Sequence, residues 1–388
     1  MNFVRRALEV LFFPKKRKKY SNTNIIVFGE WYGKKCCDNC LYLANYIVKN
    51  NDTKFDLYWI LDKECDDTRL DIRVKRLIRD SSDAESVLNR ARFIFVNQGI
   101  VDVSSNPYFV PLNSCLINLW HGIAWKRIGA DLFYKNPFKA YYSRKVYIKD
   151  GTDYYLSTSA EFSKKLHSSF GVKYKNIIYA GYPRNSIFYD SIFIDKLRKS
   201  FCLKHKIDEK SIIVSYLPTF RNNTNSKSLD FLFDNKEFLS FAQENNVFII
   251  QKNHFVVEQK SLYSEKTNKR IINDNDLSAS EILSLSNILI TDYSSCFFDF
   301  LILNKPIIHY IYDYDYYAKD DKGLYYNVDD VCCGKVCYKD NDLSNAIMSY
   351  VKNPIMDEEL RLKRREKFME YEDDQACKKI FERILNIK

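Results

Sequence analysis

Two histidines sit where a strand should end and a ligand should begin. His121 follows the apolar run Cys115 to Trp120, in Trp120-His121-Gly122. A histidine at the carboxyl end of a strand, with a glycine to turn the chain, is placed to take a proton from a hydroxyl. The plain alternative is a histidine satisfied by packing. His254 stands in Lys252-Asn253-His254, after the run Val247 to Gln251. An ammonium and an imidazole so close together can both donate to phosphate oxygens, or they can lie in an ordinary surface loop. Thr291-Asp292-Tyr293-Ser294-Ser295 follows a third run, Ile288 to Ile290, and precedes an apolar helical segment. Ser294 or Ser295 suits the N-cap of that helix. Its free amides, with the neighbouring hydroxyls, suit a phosphate, although a simply capped helix uses the same residues. Asp299, one turn in, can cap the helix or orient a ribose. Arg221 ends Leu217-Pro218-Thr219-Phe220-Arg221, and Arg184 lies in Gly181-Tyr182-Pro183-Arg184-Asn185. Each guanidinium can grip a phosphate through two parallel hydrogen bonds, or form an ion pair.

What is missing narrows the chemistry. Neither GxGxxG nor GxxxxGK[ST] occurs, which disfavours a nicotinamide dehydrogenase and a P-loop NTPase. No cofactor motif is present. Asp313-Tyr314-Asp315 and Asp274-Asn275-Asp276 are acid pairs that could hold a divalent cation such as Mg2+ against a nucleotide diphosphate, but such short triplets arise readily by chance. Cys36-Cys37-x-x-Cys40 and Cys332-Cys333-x-x-x-Cys337 invite a zinc reading, yet neither has the paired spacing of a zinc ribbon. Eleven cysteines, an odd number, in a chain without export signals read as free thiols of a cytoplasmic protein. His167, His205 and His309 have no suggestive neighbours; core or surface roles suffice for them.

The elements that must carry these residues alternate. Short apolar or β-branched runs read as buried strands: 25–28, 57–61, 93–96, 115–120, 154–157 and 177–180, then 212–217, 247–251, 288–291 and 306–311. Helix-length segments lie between them, at 38–50, 82–92, 159–169, 236–245, 279–286 and 295–303. Such alternation predicts parallel sheets with helices on both faces. The polar stretch Lys196 to Lys210 divides the two series and reads as an interdomain connection. Residues 341–388 read as two or three amphipathic helices. The 388 residues also suit two domains at roughly 150 residues each. The expected fold class is therefore α/β: two facing doubly wound, Rossmann-like domains over 21–200 and 201–388, the second ending in helices. Ligands in such sheets sit beyond the strands' carboxyl ends, where the residues above lie.

The net charge is +10. Much of it falls in residues 1–20, where Arg5, Arg6, Lys15, Lys16, Arg17, Lys18 and Lys19 face Glu9 alone. A nucleic-acid-binding domain spreads its charge over a folded face, so no nucleic-acid partner is expected. The apolar part of this arm, Phe3 to Phe13, is far short of the ~20 residues of a membrane span. Beside a basic run it suits a segment lying on anionic lipid, where each surface cation adds ~1 kcal/mol. The bland reading is a solvated tail.

Taken in order, these segments resemble the CDP-glycerol:glycerophosphate glycerophosphotransferases, the enzymes of teichoic-acid and capsule polymers. The pieces are Trp120-His121-Gly122 with Lys126-Arg127-Ile128-Gly129, then Gly181 to Asn185, Leu217 to Arg221, Lys252-Asn253-His254, and Ile290 to Ser295 with Phe298-Asp299 and Lys305-Pro306. Phe28 to Asn39 with Trp59 is similar to the family's opening region. Three positions depart from it: Phe255 replaces a proline, Lys322-Gly323-Leu324-Tyr325 stands where an Arg-Gly-Phe-Tyr is frequent, and the Pro-Gly-Pro that usually follows is replaced near Cys332-Cys333-Gly334. The resemblance implies a GT-B fold and transfer of a polyol phosphate from CDP-glycerol or CDP-ribitol to an acceptor hydroxyl, with CMP leaving. It implies a lipid-linked or polymeric acceptor, and hence an enzyme peripheral on the cytoplasmic face of the membrane. In that scheme His121 is the base and His254 the second catalytic imidazole. Arg221, Lys252, Thr219, Thr291, Ser294 and Ser295 would hold the donor phosphates, Asp292 and Asp299 the nucleotide or ribose, and Gly122 and Arg184 the acceptor or its phosphate. The rival readings are a GT-B glycosyltransferase using a nucleotide sugar and, of another class, a non-catalytic basic membrane adaptor.

Overall fold

The computed structural model describes residues 20–50, 55–219, 228–252, 268–320 and 323–387. Apart from Tyr20, the basic arm expected over residues 1–20 lies outside them, as do Arg221 and His254. The chain forms two compact units. One comprises residues 1–121, 128–186 and 368–388, the other 122–127 and 187–367.

Seven parallel strands make the sheet of the first unit: β1 (Ile25–Phe28), β2 (Asp56–Leu61), β3 (Lys75–Ile78), β4 (Phe93–Val96), β5 (Cys115–Asn118), β6 (Thr152–Ser157) and β7 (Ile177–Tyr179). Their order is β3-β2-β1-β4-β5-β6-β7. The central strands β1, β4 and β5 are buried throughout, as continuous apolar runs in a sheet covered on both faces should be. Val27, Ile60, Ile94, Val96 and Leu116 form a core with Ala84, Val87 and Leu88 of the helix Ser82–Arg90. Ser81 caps that helix, accepting the Ala84 amide at 3.2 Å.

Six parallel strands make the sheet of the second unit: β8 (Ile212–Tyr216), β9 (Val247–Gln251), β10 (Ile271–Asn273), β11 (Ile288–Thr291), β12 (Ile307–Tyr310) and β13 (Lys335–Cys337). The order is β10-β9-β8-β11-β12-β13. Its core joins Val214, Ile249, Ile290 and Ile308 to Phe238 and Ala242 of the helix Lys236–Glu244 and to Leu343 and Ile347 of the helix Asp340–Lys352. Ser278 and Glu281 close a capping box on the helix Ala279–Leu285. Both sheets thus have the Rossmann order, and in both the winding reverses between neighbouring strands, at β1/β4 and at β8/β11. Those two clefts are where such folds bind ligands.

The α/β reading holds for both units. The strand series also holds, except for three edge or near-edge strands. β3 reads Lys-Arg-Leu-Ile and is half exposed, with Lys75 paired to Asp56 at 2.7 Å. β10 and β13 are three residues each. The helix Pro137–Lys149 was also unforeseen; only Ser143 of it is buried, so it carries no apolar stripe. The expected connection Lys196–Lys210 is instead mostly helix, Ser191–His205. Asp190 caps it, accepting the Phe193 amide at 2.9 Å. Its polar composition hides a structural anchor: the Arg198 guanidinium donates to the carbonyls of Ser211 at 2.6 Å and Leu285 at 3.1 Å. Residues 187–200 therefore belong with the second unit rather than the first.

The terminal residues run the other way. Three helices form, Asp340–Lys352, Glu358–Phe368 and Ala376–Leu385, but residues 368–388 fold with the first unit rather than with the carboxyl-terminal domain expected to hold them. Tyr371 donates its amide to the Thr158 carbonyl at 2.8 Å. Glu372 accepts the Tyr182 amide at 2.9 Å and the Asn185 side-chain amide at 3.0 Å. Arg92 donates to the Ile387 carbonyl at 3.2 Å.

Candidate functional site

In the first unit the site is built on the ends of β1, β4 and β5. His121 comes three residues after β5, half-buried between two indoles, with ring centroids 4.5 Å from Trp120 and 5.9 Å from Trp31. The backbone here is bent into the left-handed region. Trp31, Tyr32 and Trp120 have φ of 50°, 60° and 58°, and Gly122 has φ of 135°. For a bulky aromatic residue that conformation costs ~1–3 kcal/mol and persists only where the surroundings impose it. Two of these residues, Trp31 and Trp120, pack on one imidazole, which marks a built site. The imidazole Nδ1 lies 3.4 Å from the Asn97 carbonyl, at the end of β4. That long contact suits the tautomer with its hydrogen on Nδ1 and a lone pair on Nε2. Burial pushes the imidazole below its ordinary value; the Asp38 carboxylate and the Asn97 carbonyl oppose the shift, and Arg184 adds to it. A neutral imidazole at pH 7 follows, as a base requires.

Asp38 is the hub of this region. Its Oδ2 accepts the Trp31 indole N–H at 3.0 Å, and its Oδ1 accepts the Arg184 guanidinium at 2.8 Å and the Asn39 amide, at the start of the helix Asn39–Lys49, at 2.8 Å. Asn39 in turn donates to the Trp120 carbonyl at 2.8 Å and accepts the Arg184 amide at 3.1 Å. Two more carboxyls are buried behind it. Glu30 accepts the amides of Cys37 and, at 2.8 Å, Asp38. Asp102 accepts those of Gln98, Asn97 and Tyr32 at 2.7, 2.8 and 2.9 Å. Burial raises both carboxyls, Glu30 well above its usual range and Asp102 from 3.8 to about 7. Sequence reasoning missed Glu30, Asp38, Asn97 and Asp102 as site residues. The signal that finds them is position: Glu30 comes two residues after β1 and Asn97 directly after β4, the two strands flanking the reversal. It also expected Arg184 to grip a phosphate. The structure places its guanidinium in a buried ion pair with Asp38, over the Tyr182 ring at 4.8 Å.

Gly122, expected beside the acceptor, begins the segment Gly122–Arg127, which belongs to the second unit. There it is stitched to residues 323–326. Arg127 donates its amide to the Gly323 carbonyl at 3.0 Å, Tyr325 donates its own to the Trp125 carbonyl at 2.9 Å, and the Trp125 indole donates to the Tyr326 carbonyl at 2.9 Å. Trp125 packs against Tyr293, centroids 5.3 Å apart.

The ends of β8 and β11 meet through Asp292, whose Oδ1 accepts the Thr219 amide at 2.8 Å. Asp292 thereby fixes the Leu217-Pro218-Thr219 loop that leads toward Arg221. The Thr291 hydroxyl donates to the Leu217 carbonyl at 2.7 Å, so it braces the same loop instead of presenting its O–H to a ligand. The expected helix over 295–303 is shorter: Cys296–Phe300, then a 3-10 turn over Leu301–Leu303. Ser295 occupies its N-cap position, but no side-chain cap hydrogen bond forms, because its backbone is already helical with φ −66° and ψ −12°. Ser294 and Ser295 are half-buried, and Asp299 is buried on the helix. Lys252, just after β9, donates to the carbonyls of Leu277 and, at 3.3 Å, Asn275.

The other candidates resolve by their partners. Asp274 is taken by Lys204 at 2.9 Å and His205 at 3.0 Å, and its other oxygen accepts the Asp276 amide at 2.9 Å, so that acid pair is an ion-pair hub. His309 is core, with Nε2 accepting the Cys333 amide at 3.2 Å. All eleven cysteines are free thiols. Among the described residues, no three metal-ligating side chains converge.

Comparison with known proteins agrees with this layout. Residues 11–386 match the family model of CDP-Glycerol:Poly(glycerophosphate) glycerophosphotransferase. A teichoic acid poly(glycerol phosphate) polymerase of Bacillus spizizenii is 27% identical over 382 residues, covering 94% of this chain and 92% of that protein. A teichoic acid glycerol-phosphate transferase of Staphylococcus aureus is 24% identical over 404 residues, 99% of each chain. The solved wall teichoic acid polymerase TagF superposes with a TM-score of 0.75 at 20% identity, covering 98% of this chain and 92% of its own, and so shares the fold.

Proposed function

Because this chain belongs to the CDP-glycerol:poly(glycerophosphate) glycerophosphotransferase family, we propose that it transfers glycerol phosphate from CDP-glycerol to a hydroxyl of a growing teichoic-acid-type polymer, releasing CMP. The observation that carries this reading is the match along nearly the whole chain, to the family and to two relatives of the same length class. The site chemistry supports it.

In the proposed reaction the acceptor hydroxyl gives its proton to Nε2 of His121 as its oxygen attacks the β-phosphorus. The bond from that phosphorus to the bridging oxygen breaks, and CMP departs with the electron pair. A positioned base of this kind is typically worth 10²–10⁴-fold. Asp38 and Asn39 act as positioning residues: they tie Trp31, Trp120 and Arg184 around the imidazole. In the second unit, Asp292 and Thr291 hold the Thr219 loop, and Thr219, Ser294 and Ser295 supply O–H groups to the pyrophosphate. Arg221, His254 and Lys252 would add positive charge there, where it offsets the charge building on the leaving phosphate. Asp299 would meet the ribose.

The acceptor is proposed to be lipid-linked, with the enzyme resting on an anionic membrane surface. No helix among the described residues is long and apolar enough to cross a membrane. Support for surface binding comes from the helix Pro137–Lys149. It contains Lys139, Arg144, Lys145 and Lys149 and no acid, and exposes Phe138 (76%), Tyr141 (56%) and Ile148 (52%). Aromatic rings among cations suit the headgroup region of anionic bilayers.

The test is CMP release with CDP-glycerol, CDP-ribitol and UDP-sugars, each with a glycerol-phosphate oligomer as acceptor. CMP from CDP-glycerol with extension of the oligomer is the expected result. Turnover of a UDP-sugar alone would establish the glycosyltransferase instead. On vesicles, Phe138→Asp should weaken binding to anionic lipid and leave CMP release from a soluble acceptor unchanged.

A further inference from the structure

Two side-chain donors have no acceptor, one in Trp120, whose ring packs on His121, and one in Gln98, the residue after Asn97, whose carbonyl meets the imidazole. The Trp120 indole Nε1 and the Gln98 amide Nε2 are both buried atoms without a hydrogen-bond partner. This is unusual for the region. The Trp31 indole is satisfied by Asp38 at 3.0 Å and the Trp125 indole by the Tyr326 carbonyl at 2.9 Å. Trp59 also lacks a partner, but it lies mid-strand in β2 with its ring stacked on Phe28. A buried donor that gives up water and gains no acceptor destabilises the fold, so such a group in a native protein calls for a reason.

The geometry around both donors holds them in place. Trp120 has φ of 58°, and its ring is clamped between His121 at 4.5 Å and Phe170 at 5.0 Å. Its amide is held by Asn118 at 2.8 Å and its carbonyl by Asn39 at 2.8 Å. Gln98 follows Asn97, whose carbonyl meets His121, and its own amide is fixed on Asp102 at 2.7 Å. Gly99 comes next, with φ of 123° and no atom within 4 Å of where a Cβ would stand, so the chain borders open space at this point. Trp offers only a donor, and the orphaned atom of Gln98 is a donor as well. The complement of two such donors is a ligand rich in oxygen acceptors.

We propose that Gln98 and Trp120 form the subsite that holds the acceptor, donating their side-chain N–H groups to phosphate or hydroxyl oxygens of its terminal polyol phosphate. This rests on the transfer reading for the identity of the ligand. It assigns to the first unit a binding role separate from the proton transfer at His121.

The test pairs kinetics with spectroscopy. Trp120→Phe keeps the ring and removes the donor; Gln98→Met keeps the length and removes the amide. Each should raise the KM for a glycerol-phosphate oligomer roughly ten-fold, leave the KM for CDP-glycerol unmoved, and leave thermal stability equal or higher, because an orphaned donor is gone. An unchanged acceptor KM, with or without a fall in stability, would overturn the subsite and leave a water-filled or purely structural role. Independently, the protein has four tryptophans, so the indole N–H resonance missing from the Trp120→Phe spectrum identifies Trp120. Adding sn-glycerol 3-phosphate should move that resonance. A shift without turnover of any CDP-alditol would keep the subsite and sink the transfer reading; no shift would sink the subsite.

Discussion

The two sheets wind in the same order and reverse at the same place, yet the clefts at β1/β4 and β8/β11 hold opposite chemistry. The first is lined by an imidazole, two indoles and three carboxyls, two of them pushed upward by burial. The second carries the half-buried Ser294 and Ser295, with Asp292 and Thr291 engaged in fixing a loop. A shared scaffold supplies position only; the few residues after each strand decide which groups each cleft presents. The first cleft also carries the backbone strain. Trp31, Tyr32 and Trp120 are all left-handed, whereas none of the described residues that close the second, 217–219 and 291–295, has positive φ.

This contrast can be broken at either end. The largest effect is expected at His121: replacement by alanine should lower kcat by 10²–10⁴-fold while the fold survives, read by CMP release alongside circular dichroism. The equivalent change in the second cleft, Asp292→Ala, should instead raise the KM for CDP-glycerol, because the Thr219 loop is released. It should also cost ~1–3 kcal/mol for the buried amide left without its acceptor, measured by urea denaturation. Asp38→Ala sharpens the difference, since it strands Arg184 in a buried site. Breaking such a pair costs ~3–5 kcal/mol, a loss of stability larger than that at Asp292, and the His121-dependent rate should fall with it.

The smallest effect is a pH slope. The Asp102 carboxyl is raised from 3.8 to about 7 by burial, so the folded state favours its protonated form. Its contribution to stability is complete below pH ~4 and is lost as pH rises to ~7. Denaturation midpoints of the parent should therefore decline over that window. Asp102→Asn should be less stable overall, having lost part of an acceptor that serves three amides, but its decline should be shallower. Equal slopes would show that Asp102 ionises normally.

Much of this was legible in the sequence because buried parallel strands announce themselves. β1, β4, β5, β9 and β11 are apolar runs with no rival reading, and His121 follows β5. Edge strands were not legible, since β3 needs only one half-buried face and spends its charges on ion pairs such as Lys75 with Asp56. The helix Ser191–His205 was hidden by lysines that face outward while Phe201 and Cys202 are buried. The return of residues 368–388 to the first unit depends on hydrogen bonds such as that of Glu372 to the Tyr182 amide, nearly two hundred residues away, and no local pattern encodes that. Arg184 was visible as a cation at a strand end, but its partner Asp38 belongs to a helix cap, a place where an aspartate attracts no notice.

The most direct test follows the phosphorus atoms. Incubated with CDP-glycerol and a short glycerol-phosphate oligomer, the enzyme should remove the two pyrophosphate signals from the ³¹P NMR spectrum and replace them, in equal amounts, with the monoester of CMP and a new phosphodiester. Persistence of the pyrophosphate, or its conversion to free glycerol phosphate and CMP with no diester formed, would contradict the account.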